Sequence, residues 1–297
     1  MSPRLPRGSA GVSSWHVAVT RPRELDPGAQ SEPLAAELRK AGLVPVSCPV
    51  LKISPLESQE LTLALKRFAD PLARTVQSGS TGGASEVVRA RWLLFSSRNA
   101  VWSLSRVFEG IGLRVREALD RGDIMVAAVG AGTAEAATEV GLSVALVPDR
   151  FDGDALLEAL VAREGVGPTG RLDGVEVLFP RAEVARERLP EGLRRRGAAV
   201  HLVATYRIHE DARGLENLLR RVEEERLAAV TLTSGSAAQA LGLKWGGRSW
   251  PSGVKMAAIG PVTARAAQDA GLPVDIVPER SRFADLATAV AEYLTRN

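Results

Sequence analysis

One stretch of this 297-residue chain is written twice. "AAVGAGTAEAATEVGLSVALVP" at 127–148 returns 130 positions later as "AAIGPVTARAAQDAGLPVDIVP" at 257–278. Aligned without a gap from Val126 and Met256 to Pro148 and Pro278, 12 of 23 positions are identical. Two unrelated amphipathic helices do not reach that figure by composition. The chain therefore holds two copies of one structural unit, and the fold must explain what two copies can do that one cannot.

The repeat extends upstream. "LLFSSRNAVWSL" (93–104) matches "VTLTSGSAAQAL" (230–241), with Ser97 answering Ser234 at an offset of 137. Earlier still, "VAVTRPRE" and "LAAELRKAGLVPVSCPV" answer "VEVLFPRAEVARERLPEGLRRRGAAVHLVATY", with Gly42 matching Gly197 at an offset of 155. The shrinking offset means that the first copy carries more loop. The surplus sits in "RTVQSGSTGGASEVV" (74–88), a Gly/Ser-rich stretch that reads as a surface loop.

Each copy alternates short apolar β-branched runs with helical patterns. The first predicts strands near 17–20, 44–50, 92–96, 125–129 and 144–147, and helices near 31–41, 58–69, 99–109, 133–140 and 152–163. The second predicts strands near 175–179, 199–206, 229–233, 255–259 and 274–277, with helices between them. Such alternation with continuous apolar strands implies a parallel sheet covered on both faces. Five strands per unit point to α/β architecture with two similar flavodoxin-like, doubly wound parallel-sheet domains. Gly141 and Gly271 stand just past their helices, where a left-handed residue is wanted. Pro261 stands at a helix start, where its missing donor costs nothing.

Composition narrows the function. Hydrophobic residues at 45% and charged residues at 25% belong to a folded globular chain, and the length suits two ordinary domains. Aromatics at 4% leave few stacking surfaces for single-stranded nucleic acid. A net charge of +3 suits an acidic ligand without amounting to the basic stripe of a nucleic-acid binder. "LRRRG" at 193–197 reads as the solvated last turn of a helix, with a ligand clamp as the other reading. Cys48 is the single cysteine, so neither an internal disulfide nor a cysteine-rich metal cluster is expected. His16, His201 and His209 lack the spacing of a metal site, and no metal or cofactor is expected. No apolar run approaches the ~18–20 residues of a membrane span. Residues 1–14 lack the apolar core of a secretory signal, and they read as a frayed tail on a cytoplasmic protein.

In an open parallel sheet, ligands bind beyond the carboxyl ends of the strands. Four strand ends here share one chemistry. Ser97, Arg98 and Asn99 follow one strand, and Ser234, Gly235 and Ser236 follow its counterpart. Gly130, Ala131, Gly132 and Thr133 follow another, and Gly260, Pro261, Val262 and Thr263 follow its counterpart. Each set opens a helix and presents backbone N–H groups suited to anions. Taken singly, the Ser and Thr residues also fit as N-caps. Four such corners, two on each of two facing units, would line a cleft for a ligand carrying many carboxylates.

A dinucleotide reading of "GAG" fails for want of a third glycine and of an acidic residue on a neighbouring strand end, and the other copy has "GPV". No Ser sits in a G-x-S-x-G elbow. Arg21 and Arg181 end corresponding strands, where a guanidinium can hold a carboxylate bidentately or simply be solvated. Tyr206, one of two tyrosines, stands in "VATYRIHE" at the end of a strand. Protonated at neutrality, it can donate a proton to a departing oxygen; packed at an interface, it would need no such role.

From about residue 15 onward the chain resembles the uroporphyrinogen-III synthase family. The resemblance rests on "RPRE" at 21–24, "FSSRNAV" at 95–101, "VGAGTA" at 129–134, "FDGDALLEAL" at 151–160 and "PRAEVARERLPEGLRRRGAAV" at 180–200. It continues in "TYR" at 205–207, "TSGSA" at 233–237 and "AIGPVTARAA" at 258–267. The chain departs from the family in having "AEVA" after Arg181 in place of a glycine-rich turn, and in the 74–88 insertion.

The resemblance implies domains that are not the two copies. Domain 1 would take 15–50 plus 211–297 and domain 2 would take 51–210, joined by extended linkers at 47–55 and 204–211. It implies a cyclising hydro-lyase of tetrapyrrole biosynthesis that converts hydroxymethylbilane to uroporphyrinogen III with inversion of ring D. Tyr206 would assist loss of the hydroxyl, and the four corners with Arg21 and Arg181 would bind substrate. It further implies a monomer with no nucleic acid or membrane partner, to which the enzyme making the substrate hands it over transiently. A hinged sensor that closes on an acidic metabolite without chemistry is the alternative.

Overall fold

The computed structural model describes residues 15–22, 25, 32–56, 59–70, 75–77, 85–111, 113–150, 152–185 and 188–296. The expected tail at 1–14 lies outside them, as do Arg23 and Glu24 of "RPRE" and Phe151.

The first copy contributes β1 (His16–Val19), α1 (Pro33–Lys40), β2 (Val44–Ser47), β3 (Leu51–Pro55) and α2 (Gln59–Phe68). A hairpin of β4 (Thr75–Gln77) and β5 (Ser85–Val87) follows, then β6 (Ala90–Phe95), α3 (Arg98–Ile111) and α4 (Leu113–Asp120). The copy ends with β7 (Met125–Ala128), α5 (Ala131–Glu139), β8 (Val144–Leu146) and α6 (Gly153–Glu164). The second contributes β9 (Val175–Ala182), α7 (Arg188–Arg195), β10 (Ala199–Glu210), α8 (Ala212–Glu223) and β11 (Ala229–Leu232). It closes with α9 (Gly235–Trp245), β12 (Lys255–Ala258), α10 (Pro261–Asp269) and α11 (Phe283–Arg296).

The described residues fall into two compact units. One takes 15–22, 32–52 and 209–296; the other takes Leu25 and 53–208. The first holds a parallel sheet in the order β12-β11-β1-β2. The second holds β10-β9-β6-β7-β8, also parallel throughout, with β3 beside β10. Thus β1 and β2 of the first copy pair with β11 and β12 of the second, while β9 and β10 of the second pair with β6, β7 and β8 of the first. Counted within their copies, the strands of the second sheet follow the 2-1-3-4-5 order of flavodoxin-like folds, and those of the first follow its first four places, 2-1-3-4. β3 and β10 are the segments through which the chain passes between units. Leu56 N–H donates to Thr205 O and Asp211 N–H to Val50 O, both at 3.0 Å, so partner numbers run in opposite senses and this pair is antiparallel.

Side chains alternate across each sheet, as buried parallel strands require. In the first unit Val17, Val19, Ala229 and Ala257 pack against α1 and α11, while Ala18, Val230, Leu232 and Met256 pack on the other face against α8 and α9. In the second, Leu93, Phe95, Val126 and Leu178 face α2, α3, α4 and α5. Trp92, Leu94, Val177 and Phe179 face α6 and α7. Among the described residues no helix is long and apolar enough to cross a membrane.

Several expectations need correction. The run at 274–277 is not a strand: only Ile276 bridges in parallel to Ala257. Pro273 lacks a donor, and Asp275 Oδ2 takes the Met256 amide at 2.7 Å, so a side chain does what a ladder carbonyl would do. The strand expected at 44–50 ends at Ser47, before Pro49, and a separate strand begins at Leu51. Within the presumed loop at 74–88, residues 75–77 and 85–87 pair as an antiparallel hairpin, and 78–84 lie outside the described residues. Helix α4 was not foreseen. "LRRRG" is as read: Arg194 and Arg195 end α7, both exposed. Gly141 and Gly271, at φ 82° and 74°, follow α5 and α10.

Candidate active site

The carboxyl edge of the second unit assembles from β6, β7, β9 and β10. β6 ends at Phe95, and Ser97 stands immediately before α3. Its Oγ accepts the Ala100 amide at 3.2 Å, so Ser97 is the N-cap of α3. Asn99 Oδ1 accepts the Leu25 amide at 3.1 Å, a contact within the second unit. Arg98 begins the helix with a half-buried side chain. β7 leads to Gly130, the extended N-cap of α5, which has no side chain to offer. The intrahelical ladder starts with the Thr133 and Ala134 amides on Gly130 O, leaving the Ala131 and Gly132 amides at the open first turn. A Cβ on Gly132 would meet nothing within 4 Å. Thr133 is not the cap that its position suggested. It lies inside the helix, 8% exposed, with its side chain in the packing.

Tyr206 occupies the same edge. It is 6% exposed, its ring lying in the core of the second unit. Its Oη lies 2.8 Å from Ser97 Oγ. A bulge makes this contact. β10 pairs with β9 through His201↔Leu178, Val203↔Pro180 and Ala204↔Arg181, then shifts so that Tyr206 faces Ala182. Val203 lies on the α3 face of the sheet, so strict alternation would send Tyr206 to the other face, toward α6 and α7. The extra residue returns it to the α3 face, where it packs with Ala182, Leu178 and Phe95.

Arg181 lies in β9 and is 5% exposed, so it is not a solvated surface arginine. Its guanidinium charge acts on Tyr206. Burial pushes the Tyr206 phenol above its ordinary value, while the Ser97 hydrogen bond and the Arg181 charge oppose the rise.

The first unit carries the equivalent edge without the tyrosine. Strand register places Val17 opposite Ala229 and Val177 opposite Trp92, so Ser234 and Ser97, and likewise Arg21 and Arg181, occupy matching sites. Ser234 Oγ accepts the Ala237 amide at 3.2 Å and caps α9, with Gly235 and Ser236 in the first turn. Gly260 is the extended N-cap of α10. Pro261 follows without an N–H, so it cannot supply an amide to a ligand. Val262 does carry one, and its side chain is 79% exposed. Thr263, like Thr133, is buried inside the helix. Arg21 lies 3.3 Å from Glu32 Oε1 and sits over the Phe283 ring at 4.7 Å. Glu32 Oε2 accepts the Ala35 amide at 2.7 Å, so one carboxylate both caps α1 and holds Arg21. At the position matching Tyr206 by the Gly42–Gly197 offset stands Leu51. Among the described residues no group of three or more His, Cys, Asp or Glu side chains is placed to hold a metal ion.

The family model described as uroporphyrinogen-III synthase HemD matches residues 32–288. The chain belongs to the uroporphyrinogen-III synthase family. Its activity is therefore that of a uroporphyrinogen-III synthase, a hydro-lyase of tetrapyrrole biosynthesis. A Methanothermobacter thermautotrophicus relative is 32% identical over 206 residues, covering 67% of this chain and 76% of its own. The uroporphyrinogen-III synthase of Synechococcus elongatus is 26% identical over 274 residues, covering 89% and 91%. A mutant uroporphyrinogen III synthase of Thermus thermophilus shares the fold, with a TM-score of 0.56 at 18% identity over 96% of this chain and 100% of that one.

Sequence reasoning missed three features of these strand edges: Glu32, Leu25 and the bulge after Ala204. Glu32 before Pro33 is a readable N-cap position with proline at the first helical residue. The bulge has no signal of its own in "VATYR".

Proposed function

We propose that the carboxyl edges of the sheets carry the groups that bind the acetate and propionate groups of hydroxymethylbilane and hold it for inverting closure. The amides of Ala131, Gly132 and Val262, those at Ser97–Asn99 and Ser234–Ser236, and the Arg21 and Arg181 guanidinium groups are the binding groups. Loss of the terminal hydroxyl gives a protonated azafulvene cation stabilised by pyrrole nitrogen. The last ring attacks through its substituted carbon, and the resulting spiro intermediate fragments and recloses. Positioning supplies most of the acceleration, because the reactive electrons belong to the substrate.

The observation that carries this reading is a buried Tyr206 beside Ser97 and Arg181 at a strand's carboxyl edge. The phenol gives its proton to the departing hydroxyl, and the C–O electron pair leaves with oxygen as water. The proton released when the last ring closes returns to the phenolate. The protein works as a cytoplasmic monomer, receiving its unstable substrate by transient hand-over.

Freshly generated hydroxymethylbilane, incubated with the protein and oxidised, is expected to give type III uroporphyrin in excess over type I on chromatography. Type I alone, at the uncatalysed rate, would overturn the assignment. Tyr206→Phe is expected to slow turnover by about one to two orders of magnitude and to leave the type III preference intact. A Phe variant at the wild-type rate would remove Tyr206 from the reaction.

A further inference from the structure

We infer that Ser97 is a positioning residue for Tyr206: its hydroxyl donates to the phenol oxygen and leaves the phenol proton free for the substrate. The inference rests on the reading of Tyr206 as the proton donor and adds the group that aims it. Ser97 Oγ already accepts the Ala100 amide at 3.2 Å. Its own O–H remains available, and Tyr206 Oη stands 2.8 Å away. The helix amide takes one lone pair of that oxygen, and its O–H can turn to donate to the phenol. With its oxygen held in that way, the phenol has to send its proton elsewhere.

Capping alone does not account for the arrangement. Ser234 caps α9 with the same geometry, and Leu51 stands where the matching strand would bring a tyrosine. The second unit differs by the bulge, which carries Tyr206 across the sheet to the N-terminus of α3. That helix end also favours the negative charge that develops on the phenol oxygen as the proton leaves.

The test separates Ser97 from its cap. Ser97→Gly keeps most of the capping, since glycine is tolerated at N-caps at a cost of a few tenths of a kcal/mol, and removes the hydroxyl. It is expected to lower kcat about tenfold with KM within about twofold, and Ser97→Thr is expected to restore most of the rate. In a Tyr206→Phe background the same Ser97→Gly change is expected to have no further effect, because a residue acting through another is silent once that other is gone. Tyr206 and Tyr293 are the only tyrosines. A Tyr293→Phe background therefore lets ultraviolet titration of phenolate follow Tyr206 alone, and Ser97→Gly is expected to move that titration to higher pH.

Full rate in Ser97→Gly with a slow Tyr206→Phe overturns the positioning role and leaves the catalytic reading standing. Equal loss from Ser97→Gly in both backgrounds also overturns it, since Ser97 would then act directly. A wild-type rate in Tyr206→Phe overturns both.

Discussion

Two glycines in matching corners illustrate how one residue type serves different ends. Gly132 looks onto open space, whereas a Cβ on Gly260 would run into Ser281 Oγ and lie 3.2 Å from Ser281 Cβ. Gly260 is extended, at φ −176°, so its requirement is steric and not conformational. Gly132→Ala is expected to raise stability by up to about 1 kcal/mol through helix propensity. It should also lower turnover of hydroxymethylbilane, because the new methyl stands at the open first turn of α5. Thermal unfolding alongside kcat/KM would show the two effects parting; activity unchanged would take that turn out of the site.

At the opposite end of the second sheet, buried Glu176 accepts from Arg91 Nε at 3.2 Å and lies 2.9 Å from His201 Nε2. Burial acts to raise its carboxyl, but the His201 and Arg91 interactions outweigh it and the net shift is downward. A carboxyl depressed in the folded state adds stability above its unfolded pKa of about 4.3 and loses it as pH falls through the folded value. The stability of Glu176→Gln, followed by urea unfolding, should therefore fall less between neutrality and acid than that of the wild type. Parallel curves would assign the acid sensitivity elsewhere.

Among the elements, α9 and α10 are a close pair. A Cβ on Gly242 would overlap the Ala270 carbonyl oxygen and stand 2.6 Å from Ala270 Cβ, and one on Gly235 would lie 3.2 Å from Ala266 Cβ. The obstacle at Gly242 is partly backbone, which no side-chain rotation relieves. Gly242→Ala is expected to cost about 1–3 kcal/mol by forcing the helices apart, read from the denaturant midpoint. The element that departed from expectation shows the opposite balance. The run at 274–277 has the apolar pattern of β8, yet Pro273 and the Asp275 carboxylate reduce it to a bridge. Apolar alternation reports burial; it does not report which group satisfies the neighbouring amide. Within β10 the pattern likewise suggested a strand, but nothing local marked where its faces exchange.

For the molecule as a whole, the sheet orders mean that each sequence copy holds part of both sheets. Fragments 1–167 and 168–297, divided between the copies, are each expected to fail to unfold cooperatively, since each would expose strand edges and apolar faces meant for the other. Mixed, they are expected to regain cooperative unfolding and activity. A fragment of residues 53–208, which keeps β6 to β10 together, is expected to unfold cooperatively alone. Circular dichroism during heating would check all three, and a well-folded 1–167 would contradict the exchange of halves.

The sequence by itself determined the strand–helix alternation, the helix ends at Gly141, Gly271 and Pro261, and the repeat that equates Ser97 with Ser234 and Arg21 with Arg181. These follow from side-chain period, glycine stereochemistry and self-similarity, all of which act over a few residues or along the chain. Tertiary structure decided which halves share a sheet and which threonines are packing and not caps. It also decided that Arg181 is buried and that Tyr206 meets Ser97 across 109 positions. Those outcomes depend on strand register and on one bulge, where a single inserted residue reverses the face of every side chain beyond it.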